Sequence, residues 1–252
     1  MDTQRHAGMT VVVTGAGNGI GRATVLRMAA EGATVIGCDN NADALSQTHT
    51  LLNDSGLSAV LVSADVTHPA DIERIVALAG PRIDILANVA GIMDHFVPLG
   101  DLDDATWFHV LDVNLTGVMR LSRAVLPLMQ SHGGGSIVTV ASVASVHAGC
   151  AGVSYVTSKH AVIGLVRHIA YFYGPENIRS NAVLPGAVNT AIGTTSTPRV
   201  AWAMERAAAN LGAIPAAAEP DEIATLISWL GSSEASNING AVVSADGGWD
   251  AA

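Results

Sequence analysis

The amino-acid sequence predicts an α/β fold: a single domain built on one doubly wound parallel sheet of about seven strands, with helices on both faces. Two observations carry that prediction. Short β-branched apolar runs alternate along the chain with amphipathic helical stretches, the pattern of strands buried on both faces and joined by helical crossovers. No linker, low-complexity segment or internal repeat interrupts this alternation, so residues 1–252 read as one domain.

The elements follow in order. Residues 10–14 (Thr-Val-Val-Val-Thr) form a buried strand. Gly15-Ala16-Gly17-Asn18-Gly19-Ile20-Gly21 turns the chain into a helix over 22–31, and Gly32 stops it. A second strand spans 33–38 and ends at Asp39. Glycine triplets are common in tight turns. Here the triplet follows a strand, opens a helix and has an acid at the end of the next strand, which is the context of a dinucleotide-binding unit. The glycines let backbone approach a pyrophosphate, and the helix N-terminus offers free amides. Asp39 would accept from a ribose diol and repel a 2′-phosphate, so NAD is expected over NADP.

Further along, helices are expected over 41–53, 69–79, 103–130, 151–173 and 220–230. Strands are expected over 59–62, 83–87, 136–141, 178–184 and 240–244. The Ala-rich stretch from about 188 to 214 reads as a broken helical segment that covers the substrate.

Composition narrows the class. Hydrophobic residues make up 49% and charged residues only 13%, which excludes disorder and points to surface buried in an oligomer. The net charge is −10 with no basic run, so nucleic acid is not an expected partner. No apolar run reaches the ~18 residues of a membrane span, and residues 1–8 lack the apolar core of a signal peptide. Cys38 and Cys150 have no metal-ligand spacing, and Cys38 reads as a reduced core residue. A cytoplasmic protein without a metal is the expectation.

Lys159 is the only lysine among twelve basic residues, and it lies four residues after Tyr155, one of three tyrosines. On a helix, residues four apart share a face. An ammonium beside a phenol favours phenolate and makes it a usable proton acceptor. Any amphipathic helix can carry such a pair, so the pattern gains meaning only from its surroundings.

Those surroundings resemble the short-chain dehydrogenase/reductase family from about residue 9 to 249. Thr14-Gly15-x-x-x-Gly19-x-Gly21 resembles its cofactor loop, in which Gly15, Asn18, Gly19, Ile20 and Gly21 would meet the cofactor. Asp65-Val66 resembles the pair that contacts adenine. Asn88-Val89-Ala90-Gly91 resembles the family's Asn-Asn-Ala-Gly motif; Val89 departs from it, with an effect expected on strand-end hydrogen bonding. Pro185-Gly186, Val188 and Thr190 resemble the segment that meets the nicotinamide amide, and Asp246-Gly-Gly248 the closing motif.

The resemblance implies a Rossmann fold and four catalytic residues. Tyr155 would exchange a proton with the substrate oxygen, and Ser142 would hold that oxygen. Lys159 would tune Tyr155 and bond the nicotinamide ribose. Asn114 would anchor a water relay to Lys159. A homotetramer is implied as well. The substrate pocket is expected from Met93, His95, Val143, His147, Cys150 and Trp202, an apolar cleft for a small hydrophobic alcohol or ketone. An alternative is a 3-oxoacyl-thioester (acyl-carrier-protein or CoA) reductase. The turn at 130–133 carries no fixed positive charge for an acidic carrier protein. A non-catalytic NAD-binding regulator is the third reading, and retention of all four catalytic residues counts against it.

Overall fold

The sheet is built from β1 (Thr10–Thr14), β2 (Thr34–Asp39), β3 (Val60–Ser63), β4 (Ile85–Asn88), β5 (Gly135–Val140), β6 (Ile178–Pro185) and β7 (Val242–Ala245). All pairings are parallel, in the order β3-β2-β1-β4-β5-β6-β7. The computed structural model describes residues 4–192 and 198–251. Its helices are α1 (Gly19–Ala30), α2 (Ala42–Asp54), α3 (Pro69–Ala79), α4 (Asp104–Leu111), α5 (Val118–Ser131), α6 (Val153–Tyr173), α7 (Ala201–Leu211) and α8 (Pro220–Gly231).

The valine run of β1 shows why the chain folds this way. Successive side chains of a strand point to opposite faces. Val11 and Val13 therefore pack with Val25 and Met28 of α1 and Ile223 and Ile227 of α8. Val12 packs on the other face with Ile75 of α3 and Leu121 and Val125 of α5. Each of the three valines is fully buried. A third cluster joins Val162 and Val166 of α6 to Ala182 and Leu184 of β6. Sequence order reverses on either side of β1, which pairs with β2 and with β4. In such sheets the crevice beyond the carboxyl ends of the strands at that point is where ligands bind.

The structure corrects the expected helix over 103–130. It is α4, then a π-helical turn at Asp112–Gly117, then α5. The wider turn falls where the chain passes Val66: a Cβ on Gly117 would lie 2.9 Å from Val66 Cγ2. Such insertions often mark functional sites, and Asn114 lies in this one. In the 188–214 stretch, Ala201–Leu211 is the described helix, and residues 193–197 lie outside the described residues. Among the described residues no helix is long and apolar enough to cross a membrane.

Candidate active site

A cleft of about 850 Å³ runs across the carboxyl ends of the strands. One end is the glycine turn. Gly15 and Gly19 have φ of 71° and 49°, in the region that favours glycine. A Cβ on Gly21 would come within 2.0 Å of Gly15 O, and one on Gly17 within 2.9 Å of Asp39 Oδ2. The turn is braced from below. Arg22 donates to Gly17 O, and the Thr48 hydroxyl donates to Ala16 O at 2.9 Å. Asn18 caps α1, its Oδ1 accepting from Gly19 N. Asp39 accepts from Gly17 N at 3.0 Å and from Asn41 N at 2.9 Å, and its carboxylate lines the cleft. These features fit a dinucleotide: close-approach backbone, a helix N-terminus and an acceptor carboxylate, in sequence along one wall.

The other expected cofactor residues Ile20, Asp65, Val66, Ala90, Gly91, Pro185, Gly186, Val188 and Thr190 also line this cleft. Asn88 lies beneath it, 2% exposed, donating to Ser122 Oγ at 3.2 Å. Where Val89 departs from the motif, the Thr14 hydroxyl takes both strand-end amides, from Val89 N at 2.9 Å and Ala90 N at 3.0 Å. Thr14 Oγ1 thus ties the end of β1 to the loop after β4.

Ser142, Tyr155 and Lys159 meet in the middle of the cleft. Asn114 stands behind it: Oδ1 accepts from Ile92 N, and Nδ2 donates to Ile92 O and to Ser158 Oγ. Lys159 and Asn114 flank Gly91, whose missing Cβ would sit 3.4 Å from both Nζ and Oδ1. Lys159 Nζ donates to Val140 O at 2.9 Å and lies 5.6 Å from the Tyr155 ring centre.

This geometry changes the expected electrostatics. Burial pushes the Tyr155 phenol up to about 12, with Asp94 and Cys150 adding to the rise and a hydrogen bond from Ser142 opposing it. Burial brings Lys159 down to about 8. The downward pull expected from Lys159 does not set this phenol: burial is the largest effect, and the Lys159 ammonium donates to Val140 O.

At the substrate end, Met93, His95, Val143 and Cys150 line the cleft as expected. Two expected residues lie elsewhere. Trp202 is 59% exposed on α7, and His147 turns away to Asp250, Nε2 to Oδ1 2.5 Å. Their places are taken by Phe96, Leu211, Ile214 and Trp249. Trp249 is held by its indole N–H donating to Asn210 O at 3.2 Å. Leu211 and Ile214 come from the 188–214 stretch expected to cover the substrate, whereas local spacing gave no sign of Phe96 and Trp249. Among the described residues no group of His, Cys, Asp or Glu is arranged to hold a metal.

Known proteins share this architecture. Residues 15–250 match the family model described as enoyl-(acyl carrier protein) reductase. A 3β-hydroxysteroid dehydrogenase 2 of Eggerthella lenta is 36% identical over 259 residues, covering 100% of both chains. Among solved structures, a 7α-hydroxysteroid dehydrogenase complexed with NADH and 7-oxo glycochenodeoxycholic acid superposes with a TM-score of 0.85 at 31% identity, covering 98% of this chain and 96% of that one. A structure from Beutenbergia cavernae with NADP bound at low occupancy gives 0.87 at 36%, covering 99% and 100%. The fold and cleft are those of a nicotinamide-dependent oxidoreductase acting on CH–OH groups. The chain belongs to the short-chain dehydrogenase/reductase family.

Proposed function

We propose that the protein uses NAD(H) to interconvert a bulky, hydrophobic secondary alcohol and its ketone, with Tyr155 as general acid and base. The carrying observation is the buried phenol of Tyr155 between Ser142 and Lys159, with apolar walls on one side and the glycine turn with Asp39 on the other. Bound nicotinamide would supply the hydride exchange and, when oxidised, a positive ring charge. Ser142 holds the substrate oxygen, which positions it for Tyr155. In the arrangement described, Tyr155 is the protonated acid, the form that gives a proton to a ketone. Oxidation needs the phenolate, so its rate should rise with pH. Lys159 holds positive charge beside the phenol, and Asn114 sets the loop and helix around it as the anchor of a water relay to that lysine.

Asp39 supports NAD over NADP, since its carboxylate would face a 2′-phosphate. Met93, Phe96, Leu211, Ile214 and Trp249 support a bulky neutral substrate, and residues 188–214 are its cover. The hydroxysteroid activities named for two relatives agree with that class. The carrier-protein reading has less support: Gln130 pairs with Glu176 at the turn before β5, leaving a polar and acidic face there. Exposed Phe108 on α4 and Tyr171 and Phe172 on α6 support assembly into a tetramer. Two free cysteines suit the cytoplasm.

The test is hydride transfer to NAD from a panel of hydroxysteroids, cyclic and aromatic secondary alcohols and 3-hydroxyacyl thioesters, beside Tyr155→Phe. Wild-type activity on the alicyclic alcohols and a loss of about a hundredfold or more in the variant is expected. An inactive wild type, or an equally active variant, refutes the mechanism.

A further inference from the structure

The longest helix of the fold, α6, begins without a cap of its own. Its N-cap residue is Gly152, which has no side chain to offer. The amides of the first turn are met instead by a residue 58 positions earlier in the chain. Asp94 Oδ1 accepts from Gly152 N at 3.0 Å, and Oδ2 accepts from Tyr155 N at 2.9 Å. The residue is 0% exposed. A carboxylate at a helix N-terminus is favoured by the helix dipole, and its bonds to backbone N–H are charge-assisted. Glycine at 152 is required for the approach: a Cβ there would lie 2.5 Å from Asp94 Oδ1 and 2.4 Å from Val97 N.

The loop that carries Asp94 is itself held in an unusual shape. His95 and Phe96 follow it, both with φ of 57°, in the region that L side chains rarely adopt. Val97 N then bonds Asp94 O, and Val153 N bonds Val97 O at 3.0 Å. The strained turn is therefore stitched to the start of α6 through Gly152, Val153 and Tyr155. His95 and Phe96 face the substrate end of the cleft. Strain of this kind persists only where the surroundings impose it, and it concentrates at working sites.

We propose that Asp94 is a positioning residue for the reaction: its buried carboxylate fixes the turn that carries Tyr155 against the substrate loop and sets the field at the phenol. This rests on Tyr155 being the proton donor and acceptor. The charged and titratable groups around that phenol are Asp94 from the loop after β4, Cys150 from the turn before α6 and Lys159 from α6 itself, with the Ser142 hydroxyl bonded to it. Burial is the main reason the phenol keeps its proton, the Ser142 bond favours release, and Asp94 and Cys150 add to the hold on the proton. Removing the Asp94 charge makes phenolate easier to form, and losing one of the two amide bonds loosens the turn.

Asp94→Asn and Asp94→Ser are both neutral and both keep a polar acceptor. Each is compared with wild type in NAD binding, thermal stability and the pH profile of alcohol oxidation. The expected result is NAD binding within about twofold of wild type, kcat down about tenfold, and the rising limb of the profile moved to lower pH by about half a unit or more. A cap with a structural role only would lower stability and leave the profile in place. An unmoved profile in the folded variants overturns the proposal. If neither variant folds, Asp94→Glu decides, since it keeps the charge and displaces it by one methylene: a lowered kcat with a moved limb upholds the proposal, and a kcat and profile equal to wild type overturn it. Failure of the functional reading is distinct, because it shows in the wild type and in Tyr155→Phe.

Discussion

The two ends of the cleft are built by different means. The cofactor end is largely backbone: Gly15, Gly19 and Gly21 present main chain to the cleft, and Asp39 closes the unit one strand later. Its glycine turn and acid lie within one βαβ unit. The substrate end is side chain: Phe96, Val143, Cys150, Leu211, Ile214 and Trp249 converge from segments spread over more than half the chain. A backbone cradle depends on local conformation and tolerates little change. A side-chain wall depends on tertiary approach and can change one residue at a time. Substitutions at the first end should therefore abolish or redirect cofactor use, and those at the second should change which substrate is held.

Lys159→Arg tests the point where the two ends join. Lys159 Nζ is 2.9 Å from Val140 O, is 3.4 Å from the place a Gly91 Cβ would occupy, and is packed over Tyr155. Guanidinium keeps the charge but is planar, wider and differently directed. The side chain is 3% exposed and lines the cleft, so the larger group would extend into the space a cofactor would take. A fall in kcat of about a hundredfold or more is expected, with the protein still folded. Activity within about threefold of wild type would show that charge alone suffices there.

Asp39→Asn breaks the cofactor end selectively. The amide keeps an oxygen for one of the two backbone bonds now made, from Gly17 N or Asn41 N, and removes the charge that would face a bound ribose. The ratio of NAD to NADP affinity should fall by about tenfold or more, measured by fluorescence titration of both cofactors. Affinity for substrate should stay within about twofold. A wild type that binds NADP more tightly than NAD would contradict the role given to Asp39.

The contrast also explains what the sequence could reveal. The cradle was readable because each part is fixed by short spacing: a strand, a glycine turn, a helix and a strand-end acid. Ser142, Tyr155 and Lys159 could be placed because they lie on consecutive elements and match a family pattern. The strand order is not legible in the sequence, because handedness leaves more than one doubly wound order open. Asp94 could not be read, because its partners are backbone amides 58 and 61 residues away. The same holds for Trp249, which reaches the cleft only because the chain end folds back onto Asn210. His147 and Trp202 were expected at the pocket from their position in loops. A carboxylate from the C-terminal segment claims the first, and the face of α7 that carries the second points outward. The break at Asp112–Gly117 is not legible in the sequence either, which predicts one continuous helix over 103–130.

Trp249→Ala probes the substrate end. Loss of this ring removes one apolar wall and the bond to Asn210 O, while the glycine turn is untouched. KM for a bulky alcohol should rise about fivefold, the worth of about 1 kcal/mol of apolar contact, with kcat and the NAD dissociation constant nearly unchanged. That split is the signature of lost uniform binding. A fall in kcat with KM held would instead place Trp249 in the alignment of the reacting atoms.

The smallest expected effect concerns what anchors the cofactor end from beneath. His6 is fully buried against α1 and α8, where its Nε2 meets Ser228 Oγ at 3.0 Å and Glu31 Oε2 at 3.4 Å. Ser228 donates to Glu31, so His6 donates to Ser228 through Nε2 and is neutral in this arrangement. Burial holds its pKa below 6.5, against the attraction of Glu31. The unfolded chain therefore takes up a proton near 6.5 that the fold accepts only at lower pH. Stability is complete above that value and is lost as pH falls through it. His147, by contrast, pairs with Asp250 at the surface, half-exposed. Thermal melting from neutral pH to about one unit below 6.5 should show wild type losing stability faster than His6→Asn, which has no proton to take. Equal slopes for the two would mean that the acid sensitivity of the fold arises elsewhere, and that α1 and α8 are held by Arg27, Glu31 and Asp221 without a contribution from the histidine.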